Sequence, residues 1–131
     1  MRVVADTHAL IWYLADSPEL SPRATRALTE AEDTDGILVS TASLIDLWYV
    51  VHRTTATLTD VHVNAVTAVL RGDTNVHLVA IDAEVLEHFG ATAQLRDPWD
   101  RLIVATALAH DVALVTRDRA ISAVGGVAVV W

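Results

Sequence analysis

The amino-acid sequence predicts an α/β protein in which helices cover both faces of a parallel β-sheet. First, short apolar segments rich in β-branched residues alternate along the chain with segments of helical periodicity. Second, the strand candidates are continuous apolar runs, as is typical of strands that are buried on both faces. Third, 131 residues of which 53% are hydrophobic fit a single domain, residues 1–131, with a sizeable core.

Five short apolar runs, each bounded by a turn or helix signal, are predicted to be the strands. They comprise residues 2–5, 37–40, 77–81, 113–116 and 127–131. Capping residues and helical periodicity predict the helices between them, since Ser, Thr and Asp accept hydrogen bonds from the first backbone amides of a helix. The expected helices include Ala9 to Leu14, a segment from Ser21-Pro22 towards Glu30, about Ala42 to His52, Val63 to Leu70 after Thr57 or Thr59, Ala83 to about Ala93 after Asp82, the apolar central helix after Asp97, and a short helix after Asp118. Ser17-Pro18 is a further candidate for an N-cap followed by Pro at the first helical position.

Composition and charge exclude several classes of site. The chain has no cysteine, which excludes disulfides, thiolate catalysis and zinc sites built on Cys. Its nine basic residues are all Arg, so Walker A loops, Schiff bases and Lys phosphate clamps are excluded too. The longest segment without a charged residue, 120–131, is too short for a membrane span, and an acid at position 6 argues against a signal peptide. We therefore expect a cytoplasmic protein whose chemistry uses oxygen or imidazole groups.

Several Asp residues are candidates for a site at the carboxyl ends of the strands, where open parallel sheets bind ligands. Asp6 follows the first strand, Asp118 follows the fourth, and Asp97 and Asp100 begin the central helix. Each has a simpler alternative as an N-cap or, for Asp100, as a first-turn acid favoured by the helix dipole. Asp46 differs, because it lies inside a predicted helix, where Asp has poor propensity and caps nothing. Its alternative is a solvated helix face.

Other residue types give weaker signals. His8 has a spacing from Asp6 that suits a metal ligand, but a helix-surface or partly buried imidazole is the simpler interpretation, and we leave it out of the candidate site. The remaining histidines form no close-spaced pair typical of zinc, and the sequence has neither a G-x-S-x-G nor a G-x-G-x-x-G motif. Trp48 and Tyr49, near Asp46, are most simply core or groove residues, with contact with a partner as the alternative.

Four segments of the chain resemble, in order, the motifs of PIN-domain ribonucleases. They are Asp6-Thr7-His8-Ala9-Leu10-Ile11-Trp12, Ser40-Thr41-Ala42-Ser43-Leu44-Ile45-Asp46-Leu47, Asp97-Pro98-Trp99-Asp100-Arg101-Leu102-Ile103 and Val115-Thr116-Arg117-Asp118. The resemblance is greatest to VapC-type toxins of bacterial toxin–antitoxin pairs, and it covers the whole chain. It implies a Rossmann-like three-layer α/β/α fold with a central, mainly parallel sheet of about five strands.

The resemblance also implies an activity and its residues. It implies a metal-dependent endoribonuclease that hydrolyses RNA, forms a homodimer and is held inactive by a cognate VapB-like antitoxin. The family's metal-binding acids correspond to Asp6, Asp100 and Asp118, and Asp46 stands as a fourth catalytic acid where family members usually have Glu. Further residues are expected to hold phosphate (Thr7, Ser40 and Thr116) or to contact RNA if they do not form salt bridges (Arg53, Arg96, Arg101, Arg117 and Arg119).

Converging carboxylates make a divalent cation physically reasonable. Oxygen-only ligands suit Mg²⁺ or Mn²⁺, and without the four site acids the net charge of −8 would be −4. Two other classes stay open. A metal-dependent phosphatase or receiver domain would share Asp6 but normally needs a Lys. A non-catalytic PIN-fold module that binds RNA or protein is the stronger alternative, because Asp46 has a shorter side chain than Glu.

Overall fold

The fold is built on one sheet of five parallel strands. The computed structural model describes residues 1–52, 60–72 and 74–131, with side chains described outside 60–62. The strands lie in the order β3-β2-β1-β4-β5. Their bounds are β1 Val3–Ala5, β2 Ile37–Ser40, β3 Val76–Val79, β4 Ala113–Val115 and β5 Val129–Val130. All four neighbouring pairs are parallel, which confirms the predicted fold class.

Helices cover both faces of this sheet. Their bounds are α1 Thr7–Leu14, α2 Pro22–Asp33, α3 Thr41–Val51, α4 Asp60–Arg71, α5 Ala83–Glu87, α6 Pro98–Ala109 and α7 Arg119–Ser122, with a short 3-10 helix at Phe89–Thr92. None of the helices in the described ranges is both long and apolar enough to cross a membrane.

The central strand β1 separates two apolar cores. Val3 and Ala5 pack into a cluster with residues of α1 and α2, whereas Val4 packs on the other side with residues of α6 and α7. Successive side chains of a strand point to opposite faces, and here both faces are covered, so all three residues are fully buried. This arrangement explains why the strand is a continuous apolar run rather than an alternating one.

Several predicted helix starts are confirmed. Ser21 Oγ accepts a hydrogen bond from the Ala24 amide at 3.1 Å, and Asp82 Oδ1 accepts one from the Val85 amide at 3.0 Å. Ser17 is not a helix cap, because its hydroxyl accepts from the Glu19 amide within a turn and Pro18 begins no helix. The predicted caps Thr57 and Thr59 lie outside the described residues.

The ends of the edge strands differ from the prediction. The third strand begins one residue earlier than expected and ends at Val79, and the fifth is confined to Val129–Val130. In both cases the neighbouring strand sets the limit, because Val79 pairs with Ser40 at the end of β2 and Val130 pairs with Val115 at the end of β4. Beyond these pairs the neighbouring chain has left the sheet, so no ladder partner remains.

Two helix lengths also differ from the prediction. Helix α2 continues past Glu30 to Asp33, and the side chain of Glu32 accepts a hydrogen bond from the Tyr13 hydroxyl. The helix that begins at Ala83 ends at Glu87 and gives way to a 3-10 helix. There the Phe89 carbonyl accepts hydrogen bonds from Arg101 Nη2 and Thr92 Oγ1 rather than from the next helical turn. The hydrogen bond from Arg101 thus joins this 3-10 helix to α6.

Candidate functional site

A pocket of about 320 Å³ lies at the carboxyl end of the sheet. The predicted acids Asp6, Asp46, Asp100 and Asp118 all line it. We call it the acid pocket, and its lining comprises Asp6, Thr7, His8, Trp12, Asp46, Val50, Asp97, Asp100, Arg117 and Asp118. The structure thus brings together four side chains that are up to 112 positions apart in the sequence.

Helix capping fixes three of the acids in this pocket. Asp6 follows β1 and its Oδ1 accepts from the Ala9 amide at 2.8 Å, and Asp118 caps α7 through the Ala120 amide at 2.8 Å. Asp97 caps α6 by accepting from two amides, those of Trp99 and Asp100. The capping hydrogen bonds use Oδ1 and leave the second carboxylate oxygen for a ligand. Each of these residues can therefore cap a helix and act in the site at the same time.

Asp46 and Asp100 enter the pocket from inside helices. Asp46 lies within α3, caps no helix end and is partly buried in the pocket wall. Asp100 lies in the first turn of α6, where the helix dipole favours a negative charge. Asp46 therefore shares a pocket with the other acids instead of lying on a separate solvated face.

The acids are close enough to affect one another's ionisation. Burial, followed by the negative charges of Asp97, Asp118, Asp46 and Asp6, raises the pKa of Asp100 to about 7. Burial also raises the pKa of Asp6, although hydrogen bonds from Thr116 and the Ala9 amide and the charge of His8 oppose it. Both raised pKa values indicate that the pocket disfavours the charged form of a carboxylate. Such a pocket favours the binding of a proton or a cation.

The three predicted phosphate-holding hydroxyls have different environments. Thr7 lies in the acid pocket, and its buried Oγ1 has no hydrogen-bond partner among the described residues. Ser40 and Thr116 are fully buried and outside the pocket lining, so the expectation that they hold phosphate is wrong. Ser40 Oγ accepts from the Ala42 amide, and Thr116 Oγ1 accepts from the Asp118 amide at 3.1 Å, which orders the chain just before the cap.

The structure adds residues that the sequence analysis left outside the site. Asp97, a site candidate with a simpler alternative as an N-cap, and His8, a partly buried imidazole, both line the pocket. Their positions at the start of α6 and in the first turn of α1 are the signal that could have placed them there. Among the arginines, Arg117 lines the pocket, whereas Arg101 is held by the Phe89 ring at 3.8 Å and by Thr92. Arg53 lies outside the described residues.

The donor set of the pocket fits a hard divalent cation. Carboxylate oxygens are ligands that Mg²⁺ and Mn²⁺ prefer, and a cation would relieve the repulsion that, after burial, contributes to the raised pKa of Asp100. No three His, Cys, Asp or Glu side chains in the described part of the chain form a ready-made metal site. The pocket therefore has suitable chemistry without a preformed ligand cage.

Comparison with known proteins identifies a family model and several similar folds. A family model described as the PIN domain matches residues 3–127. No curated protein sequence matches the chain significantly. The VapBC2 structure from Rickettsia felis bound to a promoter DNA fragment is similar, with a TM-score of 0.72 and 15% identity over 98% of this chain and 97% of that chain.

Two further solved structures have the same fold. The DNA-bound VapBC structure from Salmonella typhimurium gives a TM-score of 0.71 with 15% identity over 98% of this chain and 96% of that chain. A toxin–antitoxin complex from Klebsiella pneumoniae gives 0.64 with 18% identity over 95% and 94% of the two chains. At such identities the similarity concerns the fold.

Proposed function

This chain belongs to the PIN-domain family, and we propose that it is a single-domain, metal-dependent endoribonuclease toxin of a VapC-type toxin–antitoxin system. The main support for this proposal is the acid pocket, where Asp6, Asp46, Asp100 and Asp118 converge at the carboxyl end of the sheet. The proposed reaction is hydrolysis of an RNA phosphodiester bond, in which a water oxygen bonds to phosphorus as the bond to the leaving oxygen breaks. The proposed location is the cytoplasm.

Five of the residues that line the pocket have a role in this proposal. Asp6, Asp100 and Asp118 hold Mg²⁺ or Mn²⁺. Such an ion acidifies a water for in-line attack and offsets the negative charge that develops at the phosphate. Asp46 accepts a hydrogen bond from the attacking water and orients it. The Thr7 hydroxyl, which has no partner in the described structure, donates to a phosphate oxygen.

The electrostatics of the pocket support an enzyme over a non-catalytic module. A pocket with a purely structural role gains nothing from carboxylates that repel one another, and that repulsion contributes to the raised pKa of Asp100. The non-catalytic alternative depends on Asp46, whose side chain is one methylene shorter than the Glu usual in this family. Cleavage of RNA by the purified protein separates the two.

The partner proposals depend on the surface beside the pocket and on the related folds. Ile45, Trp48 and Tyr49 of α3 are exposed, and Asp46 on the same helix faces the acid pocket. Clustered exposed apolar side chains mark interaction surfaces. Solved proteins of this fold were crystallised as VapBC pairs or as a toxin–antitoxin complex. We therefore propose a VapB-like antitoxin and a second copy of this chain as partners.

Cleavage assays test the proposed function directly. Purified protein is incubated with single-stranded and hairpin RNAs in Mg²⁺, in Mn²⁺ and in excess chelator, and the 5′ ends of the fragments are sequenced. We expect cleavage that requires the metal and that is lost in Asp6→Asn and Asp100→Asn, which keep side-chain shape but remove charge. Undiminished cleavage in chelator, or wild-type cleavage by either variant, contradicts the proposal.

A further inference from the structure

Arg117 contributes the one permanent positive charge among the described residues that line the acid pocket. It lies between Thr116 and Asp118, just after β4, and its side chain is about half exposed. Five Asp side chains share this pocket. A phosphate that enters meets several negative charges, so a neighbouring guanidinium has a large influence on whether an anion binds there.

The side chain of Arg117 is held in place by an aromatic ring. Its Cζ lies 4.5 Å from the centroid of the Trp12 ring. Trp12 in turn contacts His8, at 5.4 Å between ring centroids, and the edge of Trp131 at 5.9 Å. A guanidinium over an indole face is a favourable cation–π arrangement. The ring therefore supports the arginine at the pocket rim while leaving its N–H groups available for hydrogen bonds.

The polar contact of Arg117 is a single exposed ion pair. Nη1 donates to Glu19 Oε2 at 3.1 Å, and the two side chains are 55% and 59% exposed. Such surface pairs are weak and are easily exchanged. A guanidinium carries five N–H donors arranged as a fork, which matches two oxygens of one phosphate better than it matches one carboxylate oxygen. A phosphate at the pocket can therefore replace Glu19.

We propose that Arg117 binds a phosphate of the RNA strand at the acid pocket, with Trp12 as its positioning residue and Glu19 as the partner that the phosphate replaces. This inference rests on the proposed ribonuclease function and names the group that holds the substrate anion. It also explains how a chain with a net charge of −8 binds a negatively charged RNA strand. In a chain of net charge −8 the acids outnumber the bases, so an arginine placed beside the reacting phosphate carries a large share of the binding.

A structural role for Arg117 makes different predictions. If the residue only ties the turn containing Glu19 to the end of β4, then Arg117→Met and Glu19→Gln break the same ion pair and have the same small effect on melting temperature, with no effect on RNA. If Arg117 binds phosphate, the two variants differ in RNA affinity. Arg117→Met loses RNA affinity, whereas Glu19→Gln frees the guanidinium and binds RNA at least as tightly as the wild type.

The test uses neutral linkages in the substrate. A single-stranded RNA that the wild type cleaves is synthesised with one methylphosphonate, which lacks the negative charge, at each position around the cleavage site. Dissociation constants and kcat/KM are measured in Mg²⁺ for wild type, Arg117→Met, Arg117→Lys, Glu19→Gln and the matched control Arg23→Met. Arg23 is exposed and lines a separate pocket with Arg2, so its variant makes the same charge change away from the site.

We expect Arg117→Met to lower kcat/KM by about 10- to 100-fold, as for loss of a hydrogen bond to a charged group. Arg117→Lys should fall between Met and wild type, because it keeps the charge without the fork. One methylphosphonate position should weaken binding to the wild type and have little further effect in Arg117→Met, since both changes remove the same contact. Arg23→Met should behave as wild type.

The outcomes distinguish the proposed role of Arg117 from the proposed ribonuclease function. Cleavage by the wild type together with unchanged kcat/KM and binding in Arg117→Met overturns the role of Arg117 alone. An additive effect of every methylphosphonate in Arg117→Met overturns it as well. A wild-type protein that neither binds nor cleaves any RNA overturns the proposed function, and the assignment falls with it.

Discussion

The two ends of the central sheet shift the pKa values of Asp side chains in opposite directions. At the amino end, Asp35 pairs with the N-terminal ammonium at 2.9 Å, and this hydrogen bond and charge lower the pKa of Asp35. At the carboxyl end, burial and neighbouring acids raise the pKa of Asp100 to about 7. One end pairs its carboxylate with an ammonium group, whereas the other collects five Asp side chains in a pocket whose described lining contains a single arginine, Arg117.

Backbone geometry explains why the acids collect at the carboxyl end. Strands β1 and β4 deliver the chain to the starts of α1 and α7 at this end of the sheet, and the free amides there favour Asp as a cap. Capping offsets part of the repulsion but uses only some of the carboxylate oxygens. At the amino end the N-terminal ammonium neutralises the Asp35 carboxylate. At the carboxyl end the carboxylates repel one another, so this is the end of the sheet that favours a ligand.

Removing one charge from the acid pocket should have the largest effect. We expect Asp100→Asn to reduce Mg²⁺-dependent RNA cleavage by at least about 100-fold, because it removes a proposed metal ligand and with it several kcal/mol of transition-state stabilisation. Asp35→Asn makes the same chemical change at the amino end and should leave cleavage unchanged. Single-turnover cleavage rates measure both, and circular dichroism checks the folds. Equal rates for the two variants would remove the functional contrast between the ends.

Asp46 should give the next largest effect. If it orients the attacking water, Asp46→Ala should lower cleavage by roughly 10- to 100-fold, as is typical when a group that supports a metal site is lost. Asp46→Glu restores the side-chain length usual in the family and should keep or raise the rate. Melting temperatures control for folding, since Ala has the better helix propensity by several tenths of a kcal/mol. Full activity in Asp46→Ala would leave a site of Asp6, Asp100 and Asp118.

The stability of the metal-free protein should depend on pH through Asp100. Its pKa is raised in the folded state from 3.8 to about 7, so folding favours the protonated acid. The contribution of this group to stability is therefore fully present below pH 3.8 and is lost as the pH rises through about 7.

Asp100→Asn should remove this penalty, because Asn stays neutral. Relative to wild type, we expect its melting temperature to be higher by roughly 2–5 °C at pH 8 and equal near pH 4. Added Mg²⁺ should stabilise the wild type more than the variant and narrow the gap. Differential scanning fluorimetry in chelator at several pH values checks this result, and a gap that does not change with pH would contradict the raised pKa.

The amino end should give the smallest effect, with the opposite pH dependence. The lowered pKa of Asp35 means that its ion pair contributes stability above about pH 4, and that this contribution is lost as the pH falls through the lowered pKa. Asp35→Asn should thus cause a slight decrease in melting temperature at pH 7 that vanishes at low pH. The pair is exposed, so added salt should abolish the difference as well. A large, salt-resistant loss would mean that the amino end is more than a surface contact.

The sequence by itself determined the order of the strands and helices, because local signals encode them. Continuous apolar runs identified the five strands, and Ser21, Asp82, Asp97 and Asp118 marked helix starts that the structure confirms. Local signals also located four of the five Asp residues that line the pocket. Asp6 and Asp118 follow strands, Asp46 lies in the helix after one, and Asp100 lies in the first turn of α6. Capping and burial periodicity depend on neighbours within a few positions, so a single sequence can display them.

Only the tertiary structure decided where the edge strands end and what surrounds the acids. Val79 and Val130 end their strands because their ladder partners leave the sheet there, and Arg101 of α6 donates to the Phe89 carbonyl in the 3-10 helix that follows α5. The raised pKa of Asp100 and the placement of Arg117 over Trp12 likewise depend on groups far away in the sequence. Electrostatic and packing effects act through space, and the distances that set their size exist only once the chain has folded.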